Sequence, residues 1–207
     1  MFETTGQINR GSLLGEHIFR LSKNSEVKNI VEIGTWNGMG STRCIYDGLL
    51  QGKKKDHLVL SLECNKARHE EAKRNFILPL NNFNIIHGTI ISVDEMGAIK
   101  NKFDLNVTRK SWWVDDITQI KNASYVFDKI PQKIDLLILD GGEFTSHLEF
   151  EKLWERARFI ILDDTDKTKS VKSYEAREFI ISHTDTFNII EDNLQDRNGF
   201  LVCEKIK

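Results

Sequence analysis

The chain has little that would stiffen or cross-link it. Only Pro79 and Pro131 stand among 207 residues, which excludes proline-rich docking segments and collagen-like repeats. Cys44, Cys64 and Cys203 lie far apart and form no CxxC pair. That argues against a zinc site or a disulfide framework and fits a reducing compartment. No apolar run approaches the roughly 20 residues of a membrane-spanning helix. The opening MFETTGQINRGSLLGEHIF has acids early and no long apolar core, so it does not read as a secretory signal, and a cytoplasmic location is expected. Without a secretory route, the sequon at Asn122, Ala123 and Ser124 reads as a chance match. Excess charge of one sign is also lacking. Twenty-nine Lys and Arg face 31 Asp and Glu, for a net charge of −2, giving no general reason to bind nucleic acid or anionic membrane. The one basic run, Lys53–Lys55, reads as a solvated helix end or loop.

What is present is an ordinary globular composition, 40% hydrophobic and 29% charged, in a length that suits one domain over 1–207 with its own core. Apolar β-rich runs recur at 29–33, 57–62, 84–87, 134–139, 158–162, 186–190 and 199–204, with helical segments predicted at 40–51, 65–76, 146–156 and 170–183. The runs near 30, 136 and 160 are almost continuously apolar, as strands covered on both faces should be. Strands alternating with helices predict βαβ units, hence an α/β, Rossmann-like three-layer sandwich around a mostly parallel seven-stranded sheet. The gap at 191–198 is too short for a crossover and permits only an antiparallel partner, so the last strand is expected to run antiparallel. Residues 101–130 are too long for a simple connection and read as a partly helical insertion above the sheet edge, a candidate substrate lid. Residues 1–25 are expected to supply N-terminal helix near the same end.

Residues 31–40, VEIGTWNGMG, end the first apolar run on Gly34, Gly38 and Gly40. A strand that turns on glycines into a helix offers backbone N–H groups to a ligand. The spacing is G-x-x-x-G-x-G rather than the dinucleotide G-x-G-x-x-G, and Glu32 precedes it; an acid aimed at a pyrophosphate would be unfavourable. It suits a ligand with an ammonium group. The second strand then ends in Glu63, within LSLEC, where such folds place an acid on ribose hydroxyls. The plainer reading is that Gly38 and Gly40 start a helix and Glu63 caps the next.

VEIGTWNGMGS followed by LSLEC resembles the cofactor half of a class I S-adenosylmethionine-dependent methyltransferase. The likeness covers most of the chain and implies a seven-stranded sheet with the last strand antiparallel. It implies S-adenosyl-L-methionine as cofactor, with Glu32, Gly34, Thr35, Gly38 and Gly40 around the methionine moiety and Glu63 on the ribose. It places Gly88 and Thr89, after His87, near the adenine, where many members carry an acid instead.

The fourth and fifth predicted strands end in LDGGEF and LDDTD. Beyond the carboxyl ends of strands, Asp140, Asp163 and Asp164 would share the cofactor's rim. Converging there without Lys or Arg, three carboxylates repel one another, and a divalent ion such as Mg²⁺ would resolve the repulsion. A metal would also acidify and orient an acceptor hydroxyl. The pattern is similar to metal-dependent O-methyltransferases of catechol and sugar type, which implies Asp140, Asp163 and Asp164 as metal ligands. Sugar-type members carry their base two residues past the first aspartate; Gly142 stands there, leaving Glu143 and His147 as candidate bases beside Asp140. The alternative reading has Asp140 touching substrate or cofactor without metal, and Asp163 and Asp164 forming a turn or cap.

Trp112 and Trp113, followed by Asp115 and Asp116, could wall a substrate site or form a satellite core. Phe150 and Trp154 have core spacing, and Trp36 could cover the cofactor or pack. The resulting expectation is O-methylation of a small molecule, a sugar or other polyhydroxyl compound by family likeness alone, with no nucleic-acid or membrane partner. The sequence is compatible with a homodimer and does not fix the oligomer. Two rivals remain: a non-catalytic binding protein of the same fold, and a nicotinamide-dependent oxidoreductase, which the glycine spacing and Glu32 oppose.

Overall fold

Ile30, Val31 and Ile33 of NIVEI carry the reason for the first strand: three β-branched apolar side chains in a run with no proline. In the computed structural model, which describes residues 8–53, 56–76, 80–103 and 105–207, this run is β1 (Asn29–Ile33). The start of the N-terminal segment, Lys54, Lys55 and Pro79 lie outside the described residues. Beside β1 stand β2 (Leu58–Glu63) and β3 (Phe83–Thr89) on one side, and β5 (Ile134–Leu139) and β6 (Ala157–Asp163) on the other. All six residues of β5 are buried, as the apolar run IDLLIL requires of a strand covered on both faces.

Among the described residues the sheet has eight strands, one more than the sequence predicted. The additional one is β4 (Ser124–Tyr125), two residues that pair in parallel with Gly88 and Thr89 at the edge. Two residues give no readable periodicity. The last strands, β7 (Phe187–Asn193) and β8 (Phe200–Lys205), complete the order β4-β3-β2-β1-β5-β6-β8-β7. β8 runs antiparallel to both β6 and β7 and lies between them. The predicted Rossmann-like architecture with an antiparallel last strand is therefore present, with β8 inside the sheet and β7 at its border.

Helices cover both faces. On one side α1 (Leu13–Lys23) and α2 (Ser41–Gln51) pack Leu14, Ile18, Ile45 and Leu49 against Ile30, Val59, Leu136 and Ile161. α3 (Lys66–Asn75) follows β2 and lies against β2 and β3. On the other side lie α4 (Val93–Ile99), α5 (Val107–Asn122), α6 (Ser146–Leu153) and α7 (Tyr174–Ser182). Their core joins Trp113, Ile120, Phe150 and Ile180 to Val31, Leu137 and Ile160. Residues 101–130 hold all of α5, the short 3-10 turn Phe127–Lys129 and β4. α7 begins at Tyr174 rather than 170, because Ser170 and Val171 bind the Glu143 carboxylate instead of a helical turn. Among the described residues, no helix is long and apolar enough to cross a membrane.

β1 has β2 on one flank and β5 on the other, so the chain's winding reverses there. In doubly wound sheets the crevice beyond the strand ends at such a reversal is where ligands bind.

Candidate functional site

A cleft of about 890 Å³ opens at this reversal, within the size of small-molecule and cofactor sites. The loop between β1 and α2 forms its floor. Gly34 has φ +100° and a Cβ there would stand 2.0 Å from the carbonyl oxygen of Asp140, so only glycine lets the two strand ends meet. Gly38, at φ +80°, would drive a Cβ to 2.5 Å from the Phe76 ring. Gly40 is the N-cap of α2 and supplies no side-chain cap; with Ser41 it lines the cleft. The first turn of α2 therefore offers its N–H groups and positive dipole end to whatever occupies the cleft.

Glu63 lines the cleft at the end of β2. Its two oxygens accept from the backbone N–H groups of Trp36 at 2.7 Å and Asn65 at 2.8 Å, tying two loops together and leaving a lone pair on each oxygen. Burial pushes its pKa up to about 7, against the pull of those two N–H groups. Thr35 lines the cleft as well. Trp36 covers part of the rim, with the Arg68 guanidinium 3.9 Å over its ring.

Other residues singled out from the sequence stand elsewhere. Glu32 is fully buried beneath the loop, where Thr42 donates to it at 2.7 Å and Ser61 also donates. It supports the floor and does not line the cleft; burial raises it to about 7. Thr89 spends its hydroxyl on the backbone of Ile91, and Gly88 pairs with Ser124, so neither lines the cleft. His147 points to Glu151 at 3.2 Å and Glu175 at 3.3 Å, outside it. Glu143 does line the cleft, but Oε1 accepts from Ser170 Oγ at 3.0 Å and from Val171 N at 2.9 Å. Its observed contacts fasten a loop. The tryptophan pair splits: Trp113 is buried against Phe144, ring centres 5.1 Å apart, while Trp112 is 43% exposed and lines the cleft.

Asp140, Asp163 and Asp164 do converge, each offering a carboxylate oxygen within 4.8 Å of the others. The premise that no cation accompanies them is wrong. Lys172 Nζ donates to Asp140 Oδ1 and, at 3.1 Å, to Asp164 Oδ2. Arg197 Nη2 donates to Asp163 Oδ2 at 3.1 Å. Burial opposes the charge on Lys172, but the three carboxylates more than offset it and hold the ammonium well above its ordinary value. Burial, with Asp140 and Asp164 close by, pushes Asp163 up to about 8. Burial also pushes on Asp164, yet Lys172 holds it below its usual range. Mg²⁺ needs near-octahedral oxygens at about 2.0–2.1 Å. Asp163 Oδ1 and Asp164 Oδ1 are buried without a partner, but an ion on them would stand against the Lys172 ammonium that already bridges Asp140 and Asp164, so the cluster as arranged has its counter-charge and does not favour the metal.

Among the other acids that line the cleft are Asp116, which the sequence showed only as a neighbour of the tryptophan pair, and Glu149, which it did not single out. Asp116 accepts from Phe144 N at 3.0 Å and is raised by burial to about 6. Glu149 is buried, leaves Oε2 without a partner, and is raised by burial to about 7. Trp36, Asp164 and Arg197 hold φ of 52°, 55° and 55°, a left-handed conformation uncommon in such residues, and all three line the cleft. Lys172 itself gave no local signal. It lies eight residues beyond Asp164 in a stretch that reads as helix.

No protein-family model matches the sequence, and no curated protein does. Solved structures do match the fold. An O-methyltransferase from Bacillus cereus, in complex with SAH, superposes with a TM-score of 0.60 at 17% identity, covering 97% of this chain and 83% of that one. The O-methyltransferase TomG from Streptomyces achromogenes, involved in tomaymycin synthesis and solved with SAM, gives 0.54 at 14%, over 93% and 79%. An SAH-bound methyltransferase from Podospora anserina gives 0.56 at 12%, over 94% and 79%. At these identities the likeness establishes the fold.

Proposed function

We propose that the chain is a single-domain methyltransferase that binds S-adenosyl-L-methionine in this cleft and methylates a hydroxyl of a small molecule. The observation that carries the reading is the meeting, in one cleft, of an uncapped helix start, the Gly34 turn and a carboxylate on the neighbouring strand. Similar folds solved with SAH or SAM support it. The cofactor fits the donors present. The N–H groups at the start of α2 suit its carboxylate, and Glu63 keeps lone pairs for its ribose hydroxyls. Once bound, it supplies an electrophilic methyl group on a sulfonium.

The remaining chemistry falls to the chain's own residues. Asp140 stands where Gly34 brings β1 and β5 together, with Oδ1 committed to Lys172. Among the described residues Oδ2 has no protein partner, and it accepts the acceptor hydroxyl's proton as general base. Glu143 holds the loop that carries Lys172. Trp112, from residues 101–130, closes the outer side as part of a lid over the acceptor. The acceptor class, a sugar or other polyhydroxyl compound, rests on the motif likeness at strands four and five.

Calorimetric titration with S-adenosylhomocysteine tests the reading. Saturable binding is expected, abolished in Gly34→Val and weakened roughly tenfold or more in Glu63→Gln, as the loss of hydrogen bonds to a charged acceptor implies. Transfer of labelled methyl to a polyhydroxyl acceptor would establish turnover. Binding without turnover on any hydroxyl compound would favour a non-catalytic protein. Fluorescence of bound reduced nicotinamide, with no S-adenosylhomocysteine binding, would overturn the proposal.

A further inference from the structure

The carboxylates at the ends of β5 and β6 already hold a cation, and it belongs to the protein. We propose that Lys172 serves as the fixed positive charge of the acceptor site, in the position a divalent metal would otherwise take, so that the site works without a metal. The use of that charge on an acceptor oxygen rests on the methyl-transfer reading; the identity of the cation does not.

Four observations support it. Lys172 Nζ donates to two of the three carboxylates, and an ammonium has three N–H donors, so one remains. The residue lines the cleft, so an oxygen entering there can take that remaining donor. Its side chain is only 7% exposed, so the charge is held in place and does not sample solvent. The loop is built to hold it: Ser170 Oγ accepts from Lys172 N at 3.0 Å, and Ser170 and Val171 are both fastened to Glu143. The third carboxylate, Asp163, has Arg197.

The charges explain why one occupant excludes the other. Lys172 and a divalent ion would compete for the same two carboxyl groups, Asp140 and Asp164, and two cations that close repel strongly in a buried site. With the ammonium present, an acceptor hydroxyl meets a donor at Lys172 and an acceptor at Asp140 Oδ2. That arrangement fixes the oxygen and favours negative charge developing on it.

The test is Mn²⁺ binding by the full chain, read from the loss of the free-ion electron paramagnetic resonance signal, with S-adenosylhomocysteine calorimetry run alongside. The wild type is expected to take up no Mn²⁺ saturably. Lys172→Met removes the ammonium at similar length and is expected to bind Mn²⁺ at least about tenfold more tightly, because Asp140 and Asp164 lose their counter-charge. Should Lys172→Met be too unstable to purify, Lys172→Gln carries the same readout. Saturable Mn²⁺ uptake by the wild type that disappears in Asp164→Asn would overturn the proposal. So would a folded Lys172 variant, still competent for S-adenosylhomocysteine, that gains no Mn²⁺ affinity. If the wild type fails to bind S-adenosylhomocysteine, the methyl-transfer reading falls while the Mn²⁺ result still decides whether Lys172 is the cation.

Discussion

Glu149 is buried with Oε2 unpartnered, and this shapes how the ligand-free protein responds to pH. Its pKa is displaced from 4.5 to about 7 by burial, despite a hydrogen bond from Thr145. In the unfolded chain the carboxyl loses its proton near 4.5; in the folded chain it keeps it until about 7. Between those values the native state binds more protons, so stability falls as pH rises and levels off above the upper one. Glu149→Gln, which stays neutral, should be more stable than wild type at pH 8 by about 1–3 kcal/mol and close to it at pH 5. Urea unfolding at the two pH values would measure both. A gain of equal size at pH 5 and pH 8 would show that the charge is not the cause. The same residue-level view separates what the sequence revealed from what it hid. Gly34, Glu63 and the strand-end aspartates were legible because each sits within a few residues of the strand that positions it. Lys172 was not, since a loop fastened to Glu143, 28 residues away along the chain, delivers it to the site. Glu32 was legible as an acid beside the glycine turn, but nothing local indicated that Thr42 and Ser61 would turn it inward.

At the scale of elements, α5 presents two faces with different jobs. Trp113, Ile117 and Ile120 fall at helical spacing and join the core on one side of the sheet, while Trp112 faces the cleft. Trp113→Ala should therefore cost about 3–5 kcal/mol of stability. Trp112→Ala should stay within about 0.5 kcal/mol of wild type yet weaken acceptor use. Unfolding curves paired with methyl-transfer kinetics would distinguish the two; an equal stability loss would contradict the assignment of faces. The partly helical character of residues 101–130 could be read in the sequence; the apolar stripe of α5 and the capping box of α4, where Ser92 and Glu95 satisfy each other's backbone donors, were not picked out. β4 could not be. Two residues carry no alternation, and their strand character comes only from the neighbouring Gly88 and Thr89. The start of α7 shifted for a tertiary reason, the hold of Glu143 on Ser170 and Val171.

For the whole molecule, the cleft joins the two halves of the sheet, so an occupant should stabilise the fold as a unit. S-adenosylhomocysteine at a hundred times its dissociation constant should add about 2.7 kcal/mol by mass action. A thermal shift that grows with ligand concentration, and vanishes in Gly34→Val, is the expected observation. The position of β8 has a further consequence. Because β6 and β7 have β8 in common, neither can complete its backbone pairing until residues 200–205 arrive. A chain cut before Phe200 would keep most of its apolar surface but bare two rows of unpaired amides, an invitation to self-association. Proteolysis or a premature stop near that turn should therefore yield aggregates rather than a smaller folded species.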